Sequence, residues 1–302
     1  MGTASFGAPT LRALADHVVL VVTQPDKPTG RGLTVRPGPI KSVAEELGLL
    51  LEAPVKSRDP RFIETVRSFD ADFLLVAAYG QILSRDLLTA AKHGGINLHG
   101  SILPAYRGAA PIQRAIQNGD TATGVTLMQM DEGLDTGDVI ATAHTPIEKD
   151  ETAGVLFDRL SLIAAELATE WAPRLATGSY PRVPQDSFRA TTAKKLTKEE
   201  GFLVLDGDSG AEYNRFRAFT PSPGAFLQTR FGALKILDAR LGTAHGPRGT
   251  VASVKPSLEV CFEVGSIVIN RLQAPGKRPV SASEWANGAR VAVGDQLLDR
   301  VR

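Results

Sequence analysis

Two hydrophobic periods alternate over the first two thirds of the chain. Short apolar runs at 18–23 (VVLVVT) and 73–79 (FLLVAAY) have the unbroken character of strands buried on both faces. Residues 94–99, 123–130 and 138–145 are also strand-like. Helical spacing lies between them. Residues 39–50 open at Pro39 and carry Ile40, Val43, Ala44, Leu47 and Leu50 on one face. Residues 60–69 carry Phe62, Ile63, Val66 and Phe69; residues 108–118 carry Ala109, Ile112, Ala115 and Ile116. A long stripe over 152–176 runs from Val155 to Leu175 and stops before Gly178. This alternation predicts an α/β domain with a mostly parallel sheet and helices on both faces.

After residue 178 the period is lost. Residues 179–198 are polar, proline-bearing and aperiodic, which predicts a linker. Short strands are then expected at 225–230, 233–238, 249–254, 258–263 and 266–273, enough for a small β barrel. The domains expected are 1–178 and 199–302, joined by 179–198. A length of 302 residues fits two domains at about 150 residues each.

Composition adds exclusions. Hydrophobic residues are 43% and charged residues 22%, so a disordered or fibrous chain is excluded. The single cysteine, Cys261, permits no intrachain disulfide and no cysteine-rich zinc site. There is no basic-then-apolar leader and no apolar run of the ~18 residues a membrane span needs, so a cytoplasmic protein is expected. Charge is uneven. Residues 1–188 hold 17 Lys/Arg against 22 Asp/Glu, a net −5; residues 189–302 hold 17 against 11, a net +6. The basic end is a weak pointer to a polyanionic partner, since small β domains often carry excess lysine.

The densest chemistry lies in 94–119. Asn97 and His99, two apart at a strand end, point to one face. An amide donor beside an imidazole can polarise a carbonyl and move a proton. Tyr106, Arg107 and Gly108 either serve a ligand or form the turn into the next helix. Asp131, Glu132, Asp135 and Asp138 crowd the stretch 131–138, but their order fails the calcium-loop template. One of these carboxylates orienting a histidine is the functional alternative to a plain turn. The loop 24–39, with four prolines and Lys27, Arg31 and Arg36, is a candidate arm for a phosphate backbone. No P-loop, G-x-G-x-x-G, G-x-S-x-G or H-E-x-x-H occurs. His17, His93, His144, His245 and Cys261 are read as structural.

Taken together, VVTQPDKPTGRG (21–32), AAYGQIL (77–83), GGINLHGSILPAYRGAAPIQ (94–113) and MDEGLDTGD (130–138) resemble the methionyl-tRNA formyltransferase family, within the folate-dependent formyltransferases. AKKLTKEE (193–200), RAFTPSPGA (217–225) and RLQAPGKRPVSASEW (271–285) are similar to the family's C-terminal domain. The chain departs from the family at Leu33, Thr34 and Val35, where lysine is usual, and at 202–206 and Ser222, where tryptophan is usual. The resemblance implies a Rossmann-like formyltransferase domain, an OB-like barrel that binds tRNA, and transfer of a formyl group from 10-formyltetrahydrofolate to the methionyl amine of initiator tRNA. It implies that Asn97 and a protonated His99 stabilise an oxyanion while Asp135 holds His99. Folate is expected at Ser101, Ile102, Leu103 and Pro104 and along Tyr79, Gly80, Gln81, Ile82 and Leu83. tRNA is expected at Lys27, Arg31, Arg36, Lys194 and Lys195. No metal, no membrane and a monomer are expected.

Two alternatives stand beside this reading: a formyltransferase for a small amine, such as a nucleotide sugar or ribonucleotide, and an inactive tRNA- or folate-binding homologue. The N-terminus carries a further expectation. Gly2–Phe6 matches the family's first turn and Pro9–Leu14 its first helix, leaving only Met1 where a central strand belongs. Such a strand buries three or four large side chains, about 5–12 kcal/mol. A true start upstream of Met1 is therefore expected, with the first strand missing from the sequence.

Overall fold

The structure is a computed structural model that describes residues 1–26, 28–29 and 34–298, with backbone alone at 28–29 and 34–35. It divides into two compact units. The first comprises Met1–Pro111, Ala122–Pro146 and Phe157–Ala193; the second comprises Ile112–Thr121, Ile147–Leu156 and residues from Lys194 onward.

In the first unit, helix α1 (Ala8–Ala13) leads to strand β1 (Val21–Val22). The short strands β2 (Pro28–Thr29) and β3 (Thr34–Val35) pair with each other. Helix α2 (Pro39–Glu46) buries Ile40, Val43 and Ala44 at the predicted spacing. It ends earlier than the predicted 50 because Gly48 takes a left-handed φ of 65°, which stops a helix at low cost. Strand β4 (Leu51–Glu52) pairs in parallel with β1. Helix α3 (Pro60–Ser68), capped by the Asp59 carboxylate on Arg61 N–H, buries Phe62, Ile63 and Val66 beneath strand β5 (Leu74–Val76). After helix α4 (Arg85–Leu88), strand β6 (Gly95–His99) runs parallel to β5. Strand β7 (Arg107–Gly108) follows, and helix α5 (Pro111–Gln117) belongs to the second unit from Ile112 on.

The sheet is parallel up to β6 and antiparallel beyond it. Strands β8 (Ala122–Gln129) and β9 (Val139–Pro146) complete the order β5-β6-β8-β9. Nine residues join β8 to β9, too few for the crossover a parallel pair needs. Helix α6 (Ala153–Thr177) fills the predicted long stripe, and Gly178 closes it at φ 71°. No helix of the described residues is long and apolar enough to cross a membrane.

Met1 and Gly2 lie between β1 and β5. Gly2 N–H donates to Val22 O at 2.9 Å, and Ala77 N–H donates to Met1 O at 3.0 Å. The Met1 amine donates to Leu75 O at 2.6 Å, and burial pushes its pKa down to about 5.

The segment read as a linker is bound to the first unit over most of its length. Val183 pairs with Val139, and strand β10 (Thr192–Ala193) lies parallel to β7. These attachments are one isolated pair, a two-residue ladder and side-chain bonds, too short to leave a hydrophobic period to read.

In the second unit, helix α7 (Ser209–Phe219) precedes β11 (Ala225–Thr229), β12 (Gly232–Leu241), β13 (Val251–Ser253), β14 (Leu258–Cys261), β15 (Ser266–Gln273) and β16 (Val280–Ser281); helix α8 (Ala282–Gly288) follows. The strands form one antiparallel sheet in the order β11-β12-β15-β14-β13, with β16 on β15. Leu297 bridges its two edges: Arg230 N–H donates to Leu297 O at 2.8 Å, and Leu297 N–H donates to Gly249 O at 2.9 Å. That closure is the barrel-like character the strand spacing predicts. Cys261 is buried in this sheet, which pushes its thiol up.

Candidate active site

Strand β6 sorts its side chains by alternation. Ile96 and Leu98 are buried on one face, while Asn97 and His99 share the other. The chain then loops to Tyr106, whose φ of 62° turns its carbonyl back towards the strand. His99 Nε2 lies 2.9 Å from Tyr106 O. A carbonyl only accepts, so Nε2 carries a proton there and Nδ1 is the nitrogen left for chemistry. Nδ1 lies 3.6 Å from Asp135 Oδ2.

Asp135 sits between β8 and β9 with φ 53°, a second side-chain-bearing residue held left-handed at this site. Its Oδ2 accepts from Gly108 N–H at 2.8 Å and its Oδ1 from Asn97 Nδ2 at 3.4 Å. Two strands, β6 and β7, thus converge on one carboxylate. The other acids of the stretch turn elsewhere. Asp131 accepts from Thr136 Oγ1 at 2.7 Å, Asp138 pairs with Arg182 at 3.0 Å, and Glu132 is exposed. Among the described residues no group of three or more His, Cys, Asp and Glu could hold a metal ion.

The stretch 101–104 is held over β8. Thr126 Oγ1 donates to Ser101 O at 2.7 Å and accepts from Leu103 N–H at 3.1 Å. Ser101 Oγ is spent on Ala105 O at 2.6 Å. In the loop 79–83, Tyr79 and Leu83 are buried while Gly80 and Ile82 are exposed, leaving a backbone edge and an apolar side chain open to a flat heterocycle. Burial pushes the Tyr79 phenol up. Gln24 Nε2 holds this loop through Tyr79 O at 2.7 Å, and Gln81 accepts from Ser57 N–H at 2.9 Å. Arg36, Lys194 and Lys195 are exposed; Lys27 and Arg31 lie outside the described residues.

Sequence reasoning missed three contributors: the Tyr106 carbonyl, Thr191 and Gln185. Thr191 Oγ1 accepts from Tyr106 N–H at 2.8 Å. Gln185 Nε2 donates to Asp135 O at 2.9 Å and Gly137 O at 2.7 Å. Both residues stand in an aperiodic stretch with nothing local to mark them. The site as a whole offers an amide, an imidazole and a carboxylate around one point at a strand end. That set suits proton movement and charge stabilisation at a carbonyl.

Fold and site together define an enzyme of the formyl-transferring α/β class: residues 4–170 match the family described as formyl transferase, and residues 195–290 match its C-terminal domain. The chain belongs to the methionyl-tRNA formyltransferase family. It is 42% identical over 303 residues to the methionyl-tRNA formyltransferase of Geotalea uraniireducens (strain Rf4), covering 98% of this chain and 96% of that one. It is 43% identical over 299 residues to that of Myxococcus xanthus (strain DK1622), with the same coverage. The fold is similar to an N-formyltransferase from Helicobacter canadensis in complex with folinic acid and dTDP-3-aminofucose (TM-score 0.67, 17% identity, 89% of this chain and 96% of that one). It is also similar to HypX from Aquifex aeolicus in complex with tetrahydrofolic acid (TM-score 0.64, 16% identity, 86% of this chain and 47% of that one).

Proposed function

We propose that this protein moves the formyl group of 10-formyltetrahydrofolate onto the α-amino group of methionine carried by initiator tRNA, acting as a cytoplasmic monomer. The observation that carries the reading is the convergence of Asn97, His99 and Gly108 on Asp135, in a chain 42% identical over 98% of its length to a methionyl-tRNA formyltransferase. The folate supplies an activated formyl carbon; a C–N bond forms to the methionyl amine, the bond to N10 breaks, and one proton passes from amine to N10.

Asn97 holds Asp135 with one N–H and keeps a second for a developing oxyanion. His99, with Nε2 on Tyr106 O and Nδ1 facing a carboxylate, has both nitrogens turned to acceptors; the imidazolium satisfies both and adds positive charge beside the oxyanion. Asp135 and His99 pass the proton through water. The segment 101–104 and the open edge of 79–83 hold the folate. Residues 1–178 carry the catalysis, and 199–302 bind tRNA with the linker residues Lys194 and Lys195 and with Lys27, Arg31 and Arg36. The +6 charge of 189–302 supports that assignment.

The deciding experiment compares formylation of methionyl initiator tRNA with formylation of free small amines, including an amino nucleotide sugar and an amino ribonucleotide. Transfer to the tRNA alone is expected. Preference for a small amine overturns the acceptor assignment, and no transfer by a folded protein overturns the enzyme.

A further inference from the structure

We propose that Gln185 is a positioning residue for the formyl transfer, setting the Asp135 loop against the Arg107–Gly108 strand. The role rests on the function proposed above. A side-chain amide has two N–H donors and one oxygen with two lone pairs. Gln185 uses all four. Nε2 donates to Asp135 O at 2.9 Å and Gly137 O at 2.7 Å, and Oε1 accepts from Arg107 Nε at 3.0 Å and Nη2 at 2.8 Å.

Those four bonds tie the backbone of the Asp135 loop to the Arg107 guanidinium, and through it to the strand whose contact fixes the carboxylate. On one side is Gly108, next to Arg107, whose N–H donates to Asp135 Oδ2 at 2.8 Å. On the other is Asp135 itself, in a left-handed conformation that an L residue keeps only when its surroundings hold it. Two carbonyls held from outside, at Asp135 and Gly137, supply that hold. Gln185 is also the one residue of 181–189 that is not exposed.

Simple anchoring of the segment is a poorer account. Val183 already pairs with Val139 in both directions, at 2.8 and 2.9 Å. Downstream, β10 is zipped to β7, and Thr191 holds Tyr106 N–H. With both flanks fixed, the four bonds of Gln185 act on the site they bracket.

The test uses the full-length enzyme with Gln185→Leu, which keeps the volume and loses every bond, and Gln185→Asn, whose shorter stem cannot reach both sides. A displaced catalytic group costs on the order of 10²-fold. Both variants are expected to lower kcat by about 10- to 100-fold, with KM for folate and for the amine within about threefold of wild type. The separating readout is a double-mutant cycle under single-turnover conditions. In an Asp135→Asn background, Gln185→Leu is expected to change the rate by no more than about twofold, because the group it positions is already disabled. An equal loss in both backgrounds, or an undiminished kcat in a folded Gln185→Asn enzyme, overturns the role. Failure of the function reading appears separately, in the unsubstituted enzyme; if that enzyme prefers a small amine, the same cycle is read with it.

Discussion

At the Asp135 carboxylate, the Asn97 and His99 side chains of β6 and the Gly108 amide of β7 meet on two oxygen atoms, and the side chains can be removed separately. Asn97→Ala, His99→Ala and Asp135→Ala are each expected to lower kcat about 10²–10³-fold, the usual cost of losing one group that stabilises developing charge. Thermal melts and folate KM should stay near wild type, because the three side chains make polar contacts with one another and with loop backbone rather than filling the apolar core. Near-normal turnover by a folded His99→Ala enzyme refutes the assigned roles. Gly108 makes a second residue-scale case. Its φ is 120°, and a Cβ there would stand 2.8 Å from Ala193 O. Gly108→Ala is therefore expected to part β7 from β10 and withdraw the N–H that Asp135 accepts. A kcat loss comparable to that of Asp135→Ala, without a change at any catalytic side chain, is the signature to measure.

If 101–104 holds the folate as proposed, strand β8 sets how firmly it is held. Thr126, fully buried, links β8 to the backbone of both Ser101 and Leu103. Thr126→Val keeps the shape and strands two backbone groups, each worth about 1–3 kcal/mol when buried unpaired. Folate KM should rise severalfold, and stability should fall by about 2–6 kcal/mol in denaturant titration. An unchanged KM argues against 101–104 as a folate contact. The same scale shows what a sequence can carry. The face shared by Asn97 and His99 was legible because a strand alternates strictly, and α6 because its apolar stripe persists for about six turns. Helix α7 was not, since the face it buries carries Ser209, Glu212 and Arg217 beside Tyr213 and Phe216, which hides the hydrophobic period. Helix α8 did leave a mark, the Ser281/Glu284 capping box, which a reading of hydrophobic period passes over. Gln185 and Thr191 act through single side chains in an extended segment, where no period exists. The overshoot of the 39–50 helix came from Leu47 and Leu50, which continue the spacing past a glycine whose backbone had already ended the helix.

For the molecule as a whole, charge and chain order carry the expectations. If 189–302 and the 24–39 arm grip phosphates, log affinity for tRNA should fall linearly with log salt, by about 0.7–0.9 per phosphate neutralised. Folate binding should stay nearly flat over the same range, and Arg31→Ala should weaken tRNA use alone. A flat salt response for tRNA refutes that grip. Chain order matters because the second unit is discontinuous. Tyr213 donates to Asp150 at 2.8 Å, Arg114 pairs with Glu200 at 2.9 Å, and buried Arg217 donates to Glu151 O at 3.2 Å. A fragment of residues 194–302 alone leaves Tyr213, Glu200 and Arg217 without these partners. It is expected to melt well below the full chain, and a sharp transition at the full-length temperature refutes this.

That interleaving has a consequence during synthesis. Chains emerge from the ribosome N-terminus first, and domains fold as units. The first unit has all its segments once Ala193 is out, since the stretch from Tyr180 to Ala193 is the last to bind it. Residues 112–121 and 147–156 are by then already made, yet the partners they pack with lie beyond Lys194. For the time needed to translate roughly a hundred more codons, on the order of 5–20 s at 5–20 residues per second, the nascent protein holds a finished catalytic unit with two segments waiting. Synonymous codon changes that slow elongation after residue 193 prolong that wait. They are expected to alter how much active enzyme is recovered without altering a single amino acid.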